Sequence, residues 1–214
     1  MKADRGFTLI EVLVAMTVMA VMAMMAWQGV DGIVRARDSS QGSLERTLRL
    51  DSVVAQWDQD LASLQDSNGA APELACDGST VRMTRRAEGG LQVVAWALRP
   101  SATDFTWWRW ASPPVKTVGE LQDNWVRTQQ LQGGEPGALK TITGLIGWQV
   151  YFYRGNGWSN CQSSNDVVPV APPASGASAI VPREVLPTGV RMVLNFAPGS
   201  GQNGSLVRDT LIGP

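Results

Sequence analysis

The chain has 214 residues with 18 basic and 19 acidic side chains, a formal charge of -1, so it lacks the basic excess that binding to nucleic-acid phosphates requires. It contains no His. The commonest general base, the usual metal ligand and every Ser-His or Cys-His pair are therefore missing, which argues against ordinary hydrolase chemistry; no cofactor, metal ion or small-molecule substrate is expected.

The first element is the apolar stretch "RGFTLIEVLVAMTVMAVMAMMAW", Arg5 to Trp27, in which Glu11 is the only acid and, from Val12 onward, Thr17 the only polar residue. As a helix from Phe7 to Val30 it would span roughly 36 Å at ~1.5 Å per residue, long enough to cross a bilayer. A cleaved secretory signal would have an uninterrupted apolar region followed by a small-x-small cut site, but Ala20, Ala23 and Ala26 lie three apart. A plain anchor has no use for Glu11, because an ionised carboxylate inside hydrocarbon is costly and needs a partner. Lys2 and Arg5 favour a cytoplasmic start, although Asp4 and the later Arg35 and Arg37 weaken that asymmetry. Met16, Met19, Met22, Met24 and Met25 read as lipid-facing side chains, with no role as a cofactor box.

Gly29 and Gly32 are expected to loosen the helix where it leaves the membrane, and Gly42 is a candidate break. Farther on, Leu50, Val54, Trp57, Leu61 and Leu64 follow gaps of 4, 3, 4 and 3, the stripe of an amphipathic helix that packs on something. A helix in two parts is predicted from Phe7 to about Gln65, with stop signals at Ser67, Asn68 and Gly69. Asp58 and Asp60, which flank the stripe, are expected to be solvated. So are Arg85 and Arg86.

Beyond Pro72 the pattern changes to short strand-type runs, beginning at Thr80, Leu91, Phe105, Leu145, Val190 and Ser205. Glu88-Gly89-Gly90, Gly133-Gly134, Gly155-Asn156-Gly157 and Asn203-Gly204 supply turn residues between them. The Pro-, Ala- and Ser-rich segment 167–182 reads as a mobile loop, since proline cannot donate to a sheet ladder. The fold class is α+β: a long N-terminal membrane-spanning helix followed by an antiparallel β-sheet domain.

"GSGQNG", Gly199 to Gly204, fits G-x-G-x-x-G, yet too little chain follows it to build the helix and second strand that a dinucleotide site requires, so a turn is expected. In "FTWWRW", alternation puts Phe105 and Trp107 on one face of a strand and Trp108 and Trp110 on the other. One pair is expected in the core; Trp108 and Trp110 are candidate interface residues, with a sugar-stacking platform as the alternative. Cys76 and Cys161 lack CxxC spacing; in an oxidising compartment they are expected to bridge, with two buried thiols as the alternative.

The run "RGFTLIEVLVA", with Gly6, Phe7, Thr8, Leu9 and Glu11 in this order, resembles the processing site of the type IV pilin and type II secretion pseudopilin superfamily. The resemblance implies a leader of residues 1–6, cut by a prepilin peptidase between Gly6 and Phe7, and methylation of the new amine at Phe7. It also gives Glu11 an assembly role, neutralising the amine of a neighbouring subunit when subunits stagger along a filament. The implied organisation is a transmembrane and assembly helix over 7–30, an amphipathic half over 31–66 and a periplasmic β domain over 72–214.

Within that superfamily, "AWQGVDGIVRARD", "TGLIGWQVYFYRGNGWSN" and "LPTGVRMVLNF" resemble segments of the J-type minor pseudopilin of type II secretion. The Pro-rich loop and both cysteines stand outside that likeness. The resemblance implies a non-enzymatic inner-membrane subunit of a pseudopilus tip complex with I-type and K-type siblings, supporting protein secretion. The alternative reading is a minor pilin of a type IV pilus, serving assembly initiation, adhesion or DNA uptake. A membrane-tethered carbohydrate-binding β domain, suggested by the tryptophans, is the reading from another class.

Overall fold

A computed structural model describes residues 8–163 and 185–213. The expected processing residues Gly6 and Phe7 and the Pro-rich loop 167–182 lie outside the described residues. The chain divides into two compact units, Met1–Arg49 and Leu50–Pro214.

The first unit carries most of helix α1, Leu9–Ala62. Its apolar part is long and hydrophobic enough to cross a membrane, and Leu9, Met19, Met22 and Trp27 are among its many exposed apolar side chains. The helix runs without interruption through Gly29, Gly32 and Gly42, so the break expected at Gly42 is absent. A helical glycine costs only about 1 kcal/mol relative to alanine, too little to divide a helix whose flanking residues favour it.

The second unit is an antiparallel sheet packed on the end of α1. Its strands are β1 (Leu74–Cys76), β2 (Thr80–Ala87), β3 (Gly90–Pro100), β4 (Phe105–Ala111), β5 (Ala138–Arg154), β6 (Gly157–Asn160), β7 (Gly189–Phe196) and β8 (Ser205–Leu211). Their order is β1-β2-β3-β4-β5-β7-β8, with β6 also paired to β5. Tyr151 to Tyr153 pair with β6 and β7 at once, so these two occupy opposite edges of β5, and β4 and β6 follow one another along the same edge. β5 begins before the predicted Leu145 because Ala138 to Leu145 pair with β4; the strand then shifts register between Leu145 and Gly147, just past Gly144 at φ 76°.

Turn chemistry accounts for the tightest connections. Arg154 pairs with Gly157, leaving a two-residue loop in which Gly155 and Asn156 have φ of 56° and 86°, the two positive values of a type I′ hairpin. "GSGQNG" is the β7–β8 connection, as expected of a turn.

The stripe on α1 forms the inner side of the core. Trp57 and Leu61 are fully buried, with Leu50, Val53, Val54 and Leu64 packed around them. They meet Trp96, Trp107 and Trp148 from β3, β4 and β5, with ring centroids 5.6, 5.6 and 6.1 Å from Trp57. The tilted and edge-on geometries are those that aromatic quadrupoles favour. The helix stops at Ala62, short of Gln65, because the chain next pairs with β2: Leu64 bridges Arg85, and the Gln65 amide donates to the Thr84 carbonyl.

The opposite face of the sheet has a second, smaller core. Helix α2, Val118–Arg127, and the 3-10 turn Thr128–Gln130 follow β4, and Leu121 and Leu131 pack on Val93, Ala95 and Trp110. Sequence reading had placed no helix here. The overlooked signal is Thr117-Val118-Gly119-Glu120, a capping box in which the Thr117 hydroxyl accepts from the Glu120 amide.

Cys76 and Cys161 form a disulfide with Cα atoms 5.8 Å apart. β1 lies four places from β5 in the sheet order, yet Cys161 follows β6, so the sheet curls until the two meet. The bridge spans 85 residues of sequence. Closing a loop of this length is expected to stabilise by about 2 to 4 kcal/mol. Reduction should lower the midpoint of urea unfolding accordingly, and alkylation of the native protein should find two thiols only after reduction.

Candidate functional site

The motif at the start of α1 supplies the first group of candidate side chains. Thr8 immediately precedes the helix and Glu11 is its third residue. The Thr8 amide and hydroxyl each donate to Glu11 Oε2 at 2.9 Å. This is the reach-back half of a capping box, and it places the carboxylate in the first turn, where the helix dipole favours negative charge. Glu11 therefore has a job within its own chain that sequence reading did not foresee. Its other oxygen, Oε1, makes no hydrogen bond with a described residue, and the side chain is exposed, so the carboxylate remains open to a second donor.

A helix cap and a charge partner make separable demands on residue 11. Gln can still accept from Thr8 but carries no charge; Val can do neither. If pairing between subunits is the role, Glu11→Gln and Glu11→Val should both lower crosslinking to neighbouring subunits several-fold in membranes. Recovery by Gln alone would assign Glu11 to capping.

In the second unit the candidate interface residues divide. Trp110 is 3 % exposed, under Leu121 and Leu131, and its indole donates to the Pro136 carbonyl at 3.0 Å. The expectation that Trp110 belongs to an interface is corrected: the cover for that face is the chain's own α2 and the turn after it. Trp108, on the same face, is half-buried, with Gly133 close against its ring. Trp107 lies in the main core as the alternation implied, while Phe105 remains exposed.

The largest departure from expectation is Asp60, which is fully buried. Its Oδ2 accepts from Arg109 Nε and Trp96 Nε1, both at 2.8 Å. Its Oδ1 accepts from Arg85 and Arg109 at 2.9 Å and from Gln56 at 3.0 Å. Gln92 holds the far side of Arg85 through its amide oxygen. Burial lowers the pKa of the Arg85 guanidinium, Asp60 opposes that shift, and Arg109 adds to it.

Asp58 is engaged as well, accepting from Arg208 at 2.6 Å and from Thr210 at 2.6 Å on β8. At 3.6 residues per turn, Asp58 and Asp60 lie on either side of Trp57. Each acid ties one flank of the apolar stripe to a different part of the sheet. Neither is the solvated surface charge that was expected, and Arg85 belongs to the same correction. Together they orient the end of α1 on the β domain, a structural task with no nucleophile or proton carrier in it.

Residues 1–27 match the model of the prokaryotic N-terminal methylation motif. No curated protein matches the chain. The matched segment ends within the apolar part of α1, and that motif, followed by a single apolar helix and a C-terminal domain, fits a membrane-anchored protein and supports the type IV pilin and pseudopilin superfamily, whose members are structural subunits that assemble into pilus-like filaments.

Proposed function

We propose that this chain is a J-type minor pseudopilin of a type II secretion pseudopilus, a non-enzymatic tip-complex subunit that supports protein secretion. The methylation motif at 1–27, leading into one long helix and then an antiparallel β domain, supports the filament-subunit level of this reading, and the J-type level rests on the resemblance of "TGLIGWQVYFYRGNGWSN" and "LPTGVRMVLNF". Prepilin peptidase removes residues 1–6 and the amine of Phe7 is methylated. The apolar helix then sits in the inner membrane with the β domain in the periplasm. A disulfide agrees with an oxidising compartment. Glu11 neutralises a neighbour's amine, a role supported by an Oε1 that bonds no described residue, and the I-type and K-type siblings are the partners.

Two measurements test the reading at its two levels. Terminal mass spectrometry should find a methylated Phe7, and Gly6→Val should remain uncut; a mature protein beginning at Met1 or after Ala26 would remove the filament-subunit assignment. Purified domain lacking residues 1–28 should form a complex with the soluble I-type sibling, and bind the K-type more tightly once the I-type is present. No complex at tens of micromolar, with Phe7 correctly processed, would leave a filament subunit of another type.

A further inference from the structure

On β2, neighbouring residues face opposite sides of the sheet, so the pair Arg85-Arg86 is divided. Arg85 turns inward to Asp60, whereas Arg86 lines a cavity of about 600 Å³ on the side where α2 packs. Three segments build its walls. The loop after α1 contributes Asp66, the start of β3 contributes Leu91, and the approach to α2 with its first turns contributes Val115, Lys116 and Leu121.

These walls are held by backbone contacts. Leu91 and Val115 exchange amide-to-carbonyl hydrogen bonds of 2.9 and 2.8 Å. At Gly90, beside them, a Cβ would fall on the Val115 carbonyl, so only glycine lets the strand approach so closely. The Arg86 amide donates to Ser63, fixing the loop after α1 along β2. The volume lies within the range of built ligand sites, roughly 300 to 1,000 Å³.

Its lining carries two basic residues, Arg86 and Lys116, against one acid, Asp66. Neither Arg86 nor Lys116 makes an ion pair or side-chain hydrogen bond with a described residue. The acid in the wall, Asp66, already accepts from the Asn68 amide. Two cations without an ion-pair partner among the described residues, above a floor of Leu91, Val115 and Leu121, call for an occupant with carboxylates and aliphatic side chains close together. The Leu91–Val115 bonds engage the backbone groups of those two residues, so a strand does not add at that pair.

We infer that this cavity is a docking site for an acidic, aliphatic segment of a partner protein, held by Arg86 and Lys116 over the Leu91–Leu121 floor. The size and apolar lining favour a peptide over a bare anion, which would leave the floor uncovered.

The test uses the full chain in detergent micelles and a fluorescein-labelled, C-terminally amidated peptide, Gly-Val-Asp-Leu-Glu-Val. Its neutral counterpart has Asn and Gln in place of Asp and Glu. Anisotropy should show binding of the acidic peptide at concentrations below ~1 mM, weakened by salt, with the neutral one at least several-fold weaker. Arg86→Gln and Lys116→Gln should each weaken binding roughly threefold, and together roughly tenfold, consistent with exposed charges. Both side chains are exposed, so neither change should alter the fold. Arg127→Gln, at the other end of α2, should have no effect. Equal binding of both peptides, no acidic-peptide binding by ~1 mM, or an equal loss in Arg127→Gln would overturn the assignment. Full displacement by inorganic phosphate would do so as well, identifying a small-anion site instead.

Discussion

Asp60→Ala is expected to destabilise the β domain by about 3 to 5 kcal/mol, because it strips the carboxylate from two guanidinium groups that stay largely buried. The side chains of Arg85 and Arg109 are 16 % and 12 % exposed, too little for water to replace what Asp60 supplies. The Trp96 indole would also lose its acceptor. Urea unfolding of the domain lacking residues 1–28 gives the number. A loss under about 1 kcal/mol would mean that both arginines swing out to solvent and that the cluster contributes little. A second variant separates charge from shape. Replacing Asp60, Arg85 and Arg109 together with apolar residues of similar volume should recover most of the loss, since a buried ion cluster is frequently no more stable than well-packed hydrocarbon. If the triple variant is stable but no longer gives a single set of sharp resonances, the cluster sets the orientation of α1 on the sheet.

Trp57→Ala should cost a comparable amount, about 3 to 5 kcal/mol, for a different reason. Trp57 is fully buried and touches Trp96, Trp107 and Trp148, so truncation opens a cavity among three rigid rings that cannot collapse into it. Its indole nitrogen makes no hydrogen bond with a described residue, so Trp57→Phe loses packing volume without breaking a hydrogen bond to one. That variant should be distinctly milder than Trp57→Ala. The same denaturation series decides: equal losses in Phe and Ala would mean that the indole nitrogen has a partner, such as an ordered water. Leu61→Ala offers an internal comparison on the next turn of the same stripe, expected at about 2 to 5 kcal/mol.

Several elements were legible because their signals are local. A 3.6-residue period identified the stripe Leu50, Val54, Trp57, Leu61 and Leu64 as a packing face, and α1 uses it so. Strand-type runs located β2, β3, β4, β7 and β8, and the Gly-Asn pair located the β5–β6 hairpin. Helix α2 was missed because its stripe of Val118, Leu121 and Trp125 is only two turns long and contains Gly119, although both this spacing and the capping box mark it. β1 was missed for want of length, having three residues.

The functional reading rests on the part of the chain that needed no folding to be read. The motif around Gly6 and Glu11 lies in consecutive residues, and an apolar run declares itself by composition, so sequence alone determined the anchor, the motif and the helix-then-sheet order. The tertiary structure alone decided which polar and aromatic side chains are buried. Asp60 meets Arg85 and Arg109 across 25 and 49 positions, and Trp110 is covered by a helix that sequence reading had not placed. A charge on the flank of an amphipathic helix looks the same in sequence whether it meets water or two arginines. What distinguishes the cases is the approach of distant segments, and their pairing is set by the register of the whole sheet.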